Sequence, residues 1–494
     1  MKFDFQKNLE ERLAKPEYDA ETNIDDIIEK MDYPTTPPKL QDLKKYVHVF
    51  SKETLEMDAV LTQQQMFEDL DQFKFLIQYI YSGYKVLGVT FFENAFKKLS
   101  DFIEKHPQST KQEFANQINL SLEGLNDYHF SIIPCKGVRL HPLSLQGKRK
   151  TYLNSTFNIT KKDGAYYIDG KKVFAINDNQ NTDAFINKVC SVDGKIKYGL
   201  VVRENEKVGT KINLDILLED KTKIVATLAQ KNFKQLQRYN NGFIKKIKNC
   251  IYIRNTACIL HTQDENNELQ EFSKIIKHNI AEVDFAIIDA RCNWGGADTF
   301  NSTIHKSILN MEHFKNGIGL IHFCARHIWN YKSSIKTDEE YAEYIYNNYK
   351  ESINAGTPNI KEIKVRKQET SPNNNKTIFV LTDERSVSAG EEYNKQLASF
   401  ANVVFLNDNT AGMRHFGNIM NYFLNNSNIK INLATSYFSN GKCNIENKGF
   451  PPDIYFDCGA DECLLTLQNF INTNTQFQCP PLESVSEKFD SYYE

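Results

Sequence analysis

Apolar positions recur at three- and four-residue intervals through the first quarter of the chain. Residues 61–85 (LTQQQMFEDLDQFKFLIQYIYSGYK), Phe91–Ile103 and Phe114–Leu125 carry this spacing, which predicts amphipathic helices. Ser109-Thr110-Lys111-Gln112-Glu113 supplies a hydroxyl cap and an acidic first turn for the last of them. The period changes after Asp127. Short β-like runs (HFSIIP, AYYIDG, KVFAIND, YGLVVRE, INLDILLED, KIVATLAQ) alternate with Gly, Asn and Asp turns, and one helix is expected over Thr182–Val189. Asp169-Gly170 and Asp193-Gly194 mark hairpins. From Asn249 strand and helix patterns alternate (IYIRNTACILH, LQEFSKIIKHNI, DFAIIDAR, then a helix past Asp298), the rhythm of a parallel sheet with crossover helices. A helical insertion over 333–352 and a polar connector, Pro358–Asn375, interrupt it before it resumes at Thr377 and finishes near Asp457.

The pattern divides the chain into an N-terminal helical domain (1–128), a β-rich domain (129–235), an α/β core (245–457, with an insertion over about 325–372) and a C-terminal tail (458–494). A length of 494 residues suits about three domains. The formal net charge of −3 and the dispersed lysines give no reason to expect nucleic acid. No apolar run approaches the roughly 18 residues of a membrane span, and the N-terminus lacks an apolar signal core. Ten cysteines at irregular spacing read as reduced thiols, so a cytoplasmic location is expected. His322, Cys324 and His327 have no fourth ligand in view, and neither a CxxC, an HExxH nor a phosphate loop is present; no metal and no cofactor are expected.

The chemistry concentrates in TIFVLTDERSVSAGEEYNKQL, Thr377–Leu397. An apolar strand breaks at a polar turn and small residues open a helix, which places Ser386 and Ser388 among free backbone N–H groups. Ser388, between Val387 and Ala389-Gly390, is the candidate nucleophile, and Ser386 the structural cap. A second strand-to-glycine turn, DFAIIDARCNWGG, offers the N–H groups of Gly295 and Gly296 as the other half of an oxyanion hole. For the base, His129 stands where the helical region gives way to strands, and His415 lies in a glycine-flanked loop. Glu446, just before a Gly/Pro-rich turn, is the candidate orienting acid.

RSVSAGEE resembles the serine motif of the C-terminal processing (tail-specific) peptidases and their tricorn-core relatives, with Ser388 as nucleophile, Ala389 after it and Glu391 at the helix start. IIDARCNWGG is similar to the family's Asp-x-Arg-x-Asn-x-Gly-Gly motif through Asp289, Arg291, Asn293, Gly295 and Gly296. LNDYHFSI resembles its Leu-x-Asp-x-His signature, through Asp127 and His129, and IENKGFPPDIYF its closing motif, through Glu446, Gly449, Pro452 and Asp453. The resemblance implies a crotonase/ClpP-like ββα core and a small PDZ-like domain ahead of it. The tail-specific branch takes its base from a lysine in a Thr-x-Gly-Lys segment, but here the segment is Thr410-Ala411-Gly412-Met413. A thioether cannot accept the serine proton, and Arg414 stays protonated. The resemblance therefore implies the Ser-His-Glu branch, with Ser388, His129 and Glu446 catalytic and Asp127, Arg414 and His415 in support. The expected function is a serine peptidase acting on unfolded or extended polypeptides. A non-catalytic peptide-binding protein on the same fold and a non-peptide ester or amide hydrolase are the alternatives; the oligomeric state is not indicated.

Overall fold

The computed structural model describes residues 3–18, 38–51, 56–142, 148–231, 241–310, 319–322, 335–354, 360–364, 376–438, 445–459 and 461–482. The expected helices form at Gln63–Tyr79, Val89–Lys105 and Lys111–Ser121. Thr62/Gln65 and Thr110/Glu113 make reciprocal capping boxes that satisfy the first N–H groups of two of them. Phe73, Leu76, Phe92, Leu99, Phe114 and Ile118 are fully buried along their inner stripes. This helical group shares its apolar core with a four-stranded sheet ordered Phe416–Phe423, Lys430–Tyr437, Ser131–Cys135, Val138–Leu140, and with the helix Asp338–Asn354. The boundary read at 129 thus stands just ahead of a hairpin whose first strand, Ser131–Cys135, pairs with Lys430–Tyr437.

The second sheet has 13 strands. Five run parallel as neighbours in the order Cys250–Asn255, Phe285–Asp289, Thr377–Thr382, Val403–Asn407 and Ile454–Asp457. Three of the inner ones are buried at every residue, as strands covered on both faces should be. Helices Gln263–Ile280 and Asp298–Leu309 cover one face, while Cys463–Asn474 covers the other, with Phe3 and Phe5 beside it. That last helix falls in the stretch read as a tail.

The β-rich segment continues the same sheet: Ile186–Ser191 pairs in parallel with Ile454–Asp457 through Tyr455↔Val189 and Phe456↔Cys190. The helix expected over 182–189 is instead a short 3-10 turn, Thr182–Ala184, running into this strand. Burial along Ile186–Ser191 does not alternate: half-buried Asn187 and Lys188 separate the buried Ile186 from the buried Val189 and Cys190, a spacing that reads as helical. The His322–His327 group lies largely outside the described residues. Among the described residues no helix is long and apolar enough to cross a membrane.

Candidate active site

Open parallel sheets bind ligands beyond the carboxyl ends of their strands, and three such ends converge here. The turn after Phe285–Asp289 carries the glycine pair, the turn after Thr377–Thr382 carries Ser388, and the loop after Val403–Asn407 carries Thr410–His415.

The first turn is anchored by charge. Asp289 accepts from Arg291 Nε (2.8 Å) and Nη2 (2.7 Å), Arg254 Nη1 (2.9 Å) and the Tyr252 hydroxyl (2.7 Å). Burial alone would raise its carboxyl, but Arg254 and Arg291 overcome this and hold it well below the usual range. Asn293, fully buried, donates to Asn255 and accepts from the Gly295 N–H at 2.8 Å. That engages Gly295 within its own turn. The N–H groups of Gly296 and Ala389 have no acceptor among the described residues.

The serine turn is laced to the first. Val387 N donates to Asn293 O (2.9 Å), Cys292 N to Asp383 Oδ1 (3.0 Å), and Ser386 Oγ to Ala290 O (2.8 Å). Ser386 is therefore structural. Ser388, half-buried, stands at φ +51°, the left-handed region that a β-carbon disfavours and that functional turns often hold. The helix it opens is shorter than the pattern predicted: a 3-10 turn over Ser388–Glu391, then only Glu392–Leu397. So short a helix has little macrodipole, and the local N–H of Ala389 carries the electrostatics instead.

Gly295 takes φ +74°, and a β-carbon there would stand 2.8 Å from Ser388 Cβ and 3.1 Å from Ala389 N. Gly295→Ala is accordingly expected to shift the serine and lower kcat/KM about a hundredfold, since misplacement by roughly 1 Å costs that much. Steady-state kinetics on a fluorogenic peptide measure it.

Glu391 fixes the third loop. Buried, it accepts from Thr410 Oγ1 (2.5 Å), Gly412 N (2.9 Å) and Met413 N (2.6 Å). Arg414 pairs with Glu392, lies 3.8 Å from Asp298 and stacks over Phe438 at 4.9 Å. His415 has both ring nitrogens in use. Nε2 accepts from Ile445 N (3.0 Å), which leaves the proton on Nδ1 to bond Phe438 O (2.8 Å). Burial keeps this imidazole neutral, its pKa lowered to about 4.

His129 is placed differently. Its Nδ1 is buried without a hydrogen-bond partner among the described residues, beside two carboxyls. One donor atom each from Asp127, His129 and Glu446 lie within 4.8 Å of one another. The same three side chains are the grouping that could hold a metal ion, but every carboxylate oxygen here already accepts a protein donor. Asp127 accepts from His129 N (2.7 Å) and Tyr81 Oη (2.7 Å); Glu446 accepts from Tyr128 N and His415 N (3.2 Å each). Glu446 thus ties the histidine turn to the Thr410–His415 loop. Burial, then Arg414 and His141, lower His129 to about 4. Burial raises Asp127 to about 6, and burial together with Asp127 raises Glu446 well above the ordinary glutamate value. The Arg414 charge that His129 senses is paired to Glu392, in the helix opened by Ser388, and lies by Asp298, two residues past Gly296.

Residues 249–456 match the family model for peptidase family S41. The core is an S41 peptidase domain. It is a serine-type peptidase, a hydrolase with mixed α/β structure. No curated protein matches the chain. Among solved structures, the chain is similar to mature CPAF complexed with lactacystin, at 13% identity and TM-score 0.45, covering 83% of this chain and 96% of that one. It is also similar to the photosystem II D1 C-terminal processing protease (13%, TM-score 0.38, 85% and 98% covered) and the tricorn protease (11%, TM-score 0.35, 80% and 35% covered).

Sequence reasoning missed several residues that hold these turns together. Tyr81 holds Asp127, Asn255 holds Asn293, and Asn301 Nδ2 binds Ala389 O. Tyr81 and Asn255 sit in ordinary helix-end and strand-end sequence, and only Asn301, in the helix directly after the glycine pair, had a positional signal.

Proposed function

We propose that the S41 core cleaves unfolded or extended polypeptides with Ser388 as nucleophile, His129 as base and Glu446 as the carboxylate behind it. The observation that carries this reading is the contrast between the two histidines: His415 has both nitrogens engaged, whereas His129 holds an unpartnered Nδ1 beside Glu446. His129 Nε2 takes the Ser388 proton as Oγ attacks the scissile carbonyl. The imidazolium that forms then turns its Nδ1–H to Glu446, a contact of a kind that is commonly long without substrate and tightens with it. Ala389 N and Gly296 N receive the tetrahedral oxyanion, and the proton passes to the leaving amine. Asp127 holds the backbone of the His129 turn. The parallel core is read as crotonase/ClpP-like and the strands over 149–230 as PDZ-like. None of the eight described cysteines forms a disulfide, which suits a reducing, cytoplasmic compartment.

A fluorophosphonate tests the assignment directly. Stoichiometric attachment at Ser388, located by mass spectrometry, is expected; a folded protein that takes up none is a binding protein. Peptide and ester panels then separate a peptidase from a non-peptide hydrolase.

The pH dependence follows from the same set. Once the pH rises past about 4 His129 is neutral, but Glu446 still keeps its proton, because burial raises it. Raising the pH removes that proton and completes the triad. The acid limb of kcat/KM is thus expected above 4.5, the ordinary glutamate value. Glu446→Gln should erase this limb and lower kcat by about 10²–10⁴-fold.

A further inference from the structure

A cavity of about 770 Å³ lies where the N-terminal helix Phe5–Leu13, the β-rich segment and the closing loop 448–455 meet. Three of its cations are neutralised: Arg12 by Asp453, Lys188 by Glu11 and Lys161 by Asp183. Four make no direct ion pair. Lys15 donates to the Pro452 carbonyl (2.8 Å) and senses Asp453 and Glu17 only at longer range. Arg149 and Arg203 donate to each other's carbonyl oxygens (3.2 and 2.8 Å), and Arg203 also to Thr410 O (2.8 Å). Lys448 is exposed. Among the described residues none of the four pairs with a carboxylate, and the Nε–H of Arg203 is buried with no acceptor. Arg203 is half-buried and senses the carboxyls of Asp408 and Glu384 without pairing directly with either, so its buried Nε–H is left incomplete.

We propose that this cavity binds an acidic peptide segment. The four cations stand on four separate segments, Lys15 after the N-terminal helix, Arg149 and Arg203 on neighbouring strands and Lys448 on the closing loop, which suits carboxylates spaced along an extended chain better than a single phosphate. Asn181 and Asn187 line the cavity and offer amide groups to a peptide backbone, while Tyr198 and Val201 supply apolar wall. The site lies apart from Ser388, yet Arg203 touches Thr410, whose hydroxyl donates to Glu391 below the nucleophile. It would therefore serve as an exosite, holding part of a polypeptide next to the loop that shapes the catalytic turn.

Fluorescence anisotropy of a labelled Asp/Glu hexapeptide with full-length Ser388→Ala protein tests this. Saturable binding is expected, weakening about tenfold or more as salt screens the charges. Arg149→Ala combined with Lys448→Glu should weaken it about tenfold again, and Arg149→Lys only partly. Lys448→Glu alone, on an exposed side chain, keeps the test informative if the double variant misfolds. A Lys/Arg hexapeptide should not bind. Absence of binding, binding indifferent to these substitutions, or full displacement by equimolar inorganic pyrophosphate would overturn the assignment. If mass spectrometry shows the hexapeptide cut by Ser388→Ala, the nucleophile assignment fails while the binding result stands.

Discussion

Ser388→Ala is expected to lower peptide hydrolysis by about 10⁴-fold or more while leaving the fold intact. The hydroxyl is half-buried and makes no hydrogen bond recorded among the described residues, so its loss removes chemistry without leaving a partner unsatisfied. The backbone of the turn is held by other groups: Val387 N to Asn293 O, Gly390 N to Val387 O, and Ser386 Oγ to Ala290 O. Alanine at φ +51° is no easier than serine, so a small drop in stability is compatible with the reading. The contrasting variant is Ser386→Ala. It deletes a buried hydroxyl that links the two turns, and should cost about 1–3 kcal/mol in denaturant unfolding together with activity.

The largest expected effect on stability comes from Arg12→Ala. Arg12 is 1% exposed, and its guanidinium binds Asp453 through Nε (2.9 Å) and Nη2 (2.6 Å). It also donates to the carbonyls of Ala398 (2.8 Å), Phe400 (3.3 Å) and Val403 (2.5 Å). Asp453 accepts the Phe405 N–H as well, so one ion pair joins the N-terminal helix, the loop after the nucleophile helix and the last core strand. Alanine would leave the buried Asp453 carboxylate without its bidentate partner, with only the more distant Lys15 charge, and would take a donor from each of three carbonyls. A loss of about 3–5 kcal/mol is expected, read as a lower urea midpoint for the core. Arg12→Lys should recover only a fraction, because one ammonium cannot serve the five sites of a planar fork. The pair also shows in titration: burial pushes Asp453 upward, but Arg12 outweighs it and holds the carboxyl below its usual value.

Features set by neighbours in sequence were legible from the chain. The Thr110/Glu113 capping box lies within four residues, the parallel strands are continuous apolar runs, and the serine turn is a break between strand and helix. What escaped depends on partners far away. Nothing around Arg12 announces Asp453, 441 residues on. Residue pattern alone leaves both His129 and His415 open and the family resemblance favours His129, but that Phe438 O and Ile445 N engage the second ring is invisible in the chain. Gly295 and Gly296 were interchangeable as oxyanion donors, and only the Asn293 side chain, accepting the first N–H, separates them. The strands over 131–140 read as the start of the β-rich segment because the pairing of Ser131–Cys135 with Lys430–Tyr437, about 300 residues on, is not encoded in local pattern. The six residues Ile186–Ser191 gave a helical spacing through Ile186 and Val189, yet tertiary pairing with Ile454–Asp457 made them a strand.

The central claim is that the base reaches Ser388 from His129, more than 250 residues earlier in the chain. Its most direct test is the second-order rate at which a fluorophosphonate attaches to Ser388 in His129→Ala, measured beside the wild-type protein by intact mass. The account predicts a fall of about 10³-fold or more in a variant that still melts cooperatively. Attachment at the wild-type rate would contradict it.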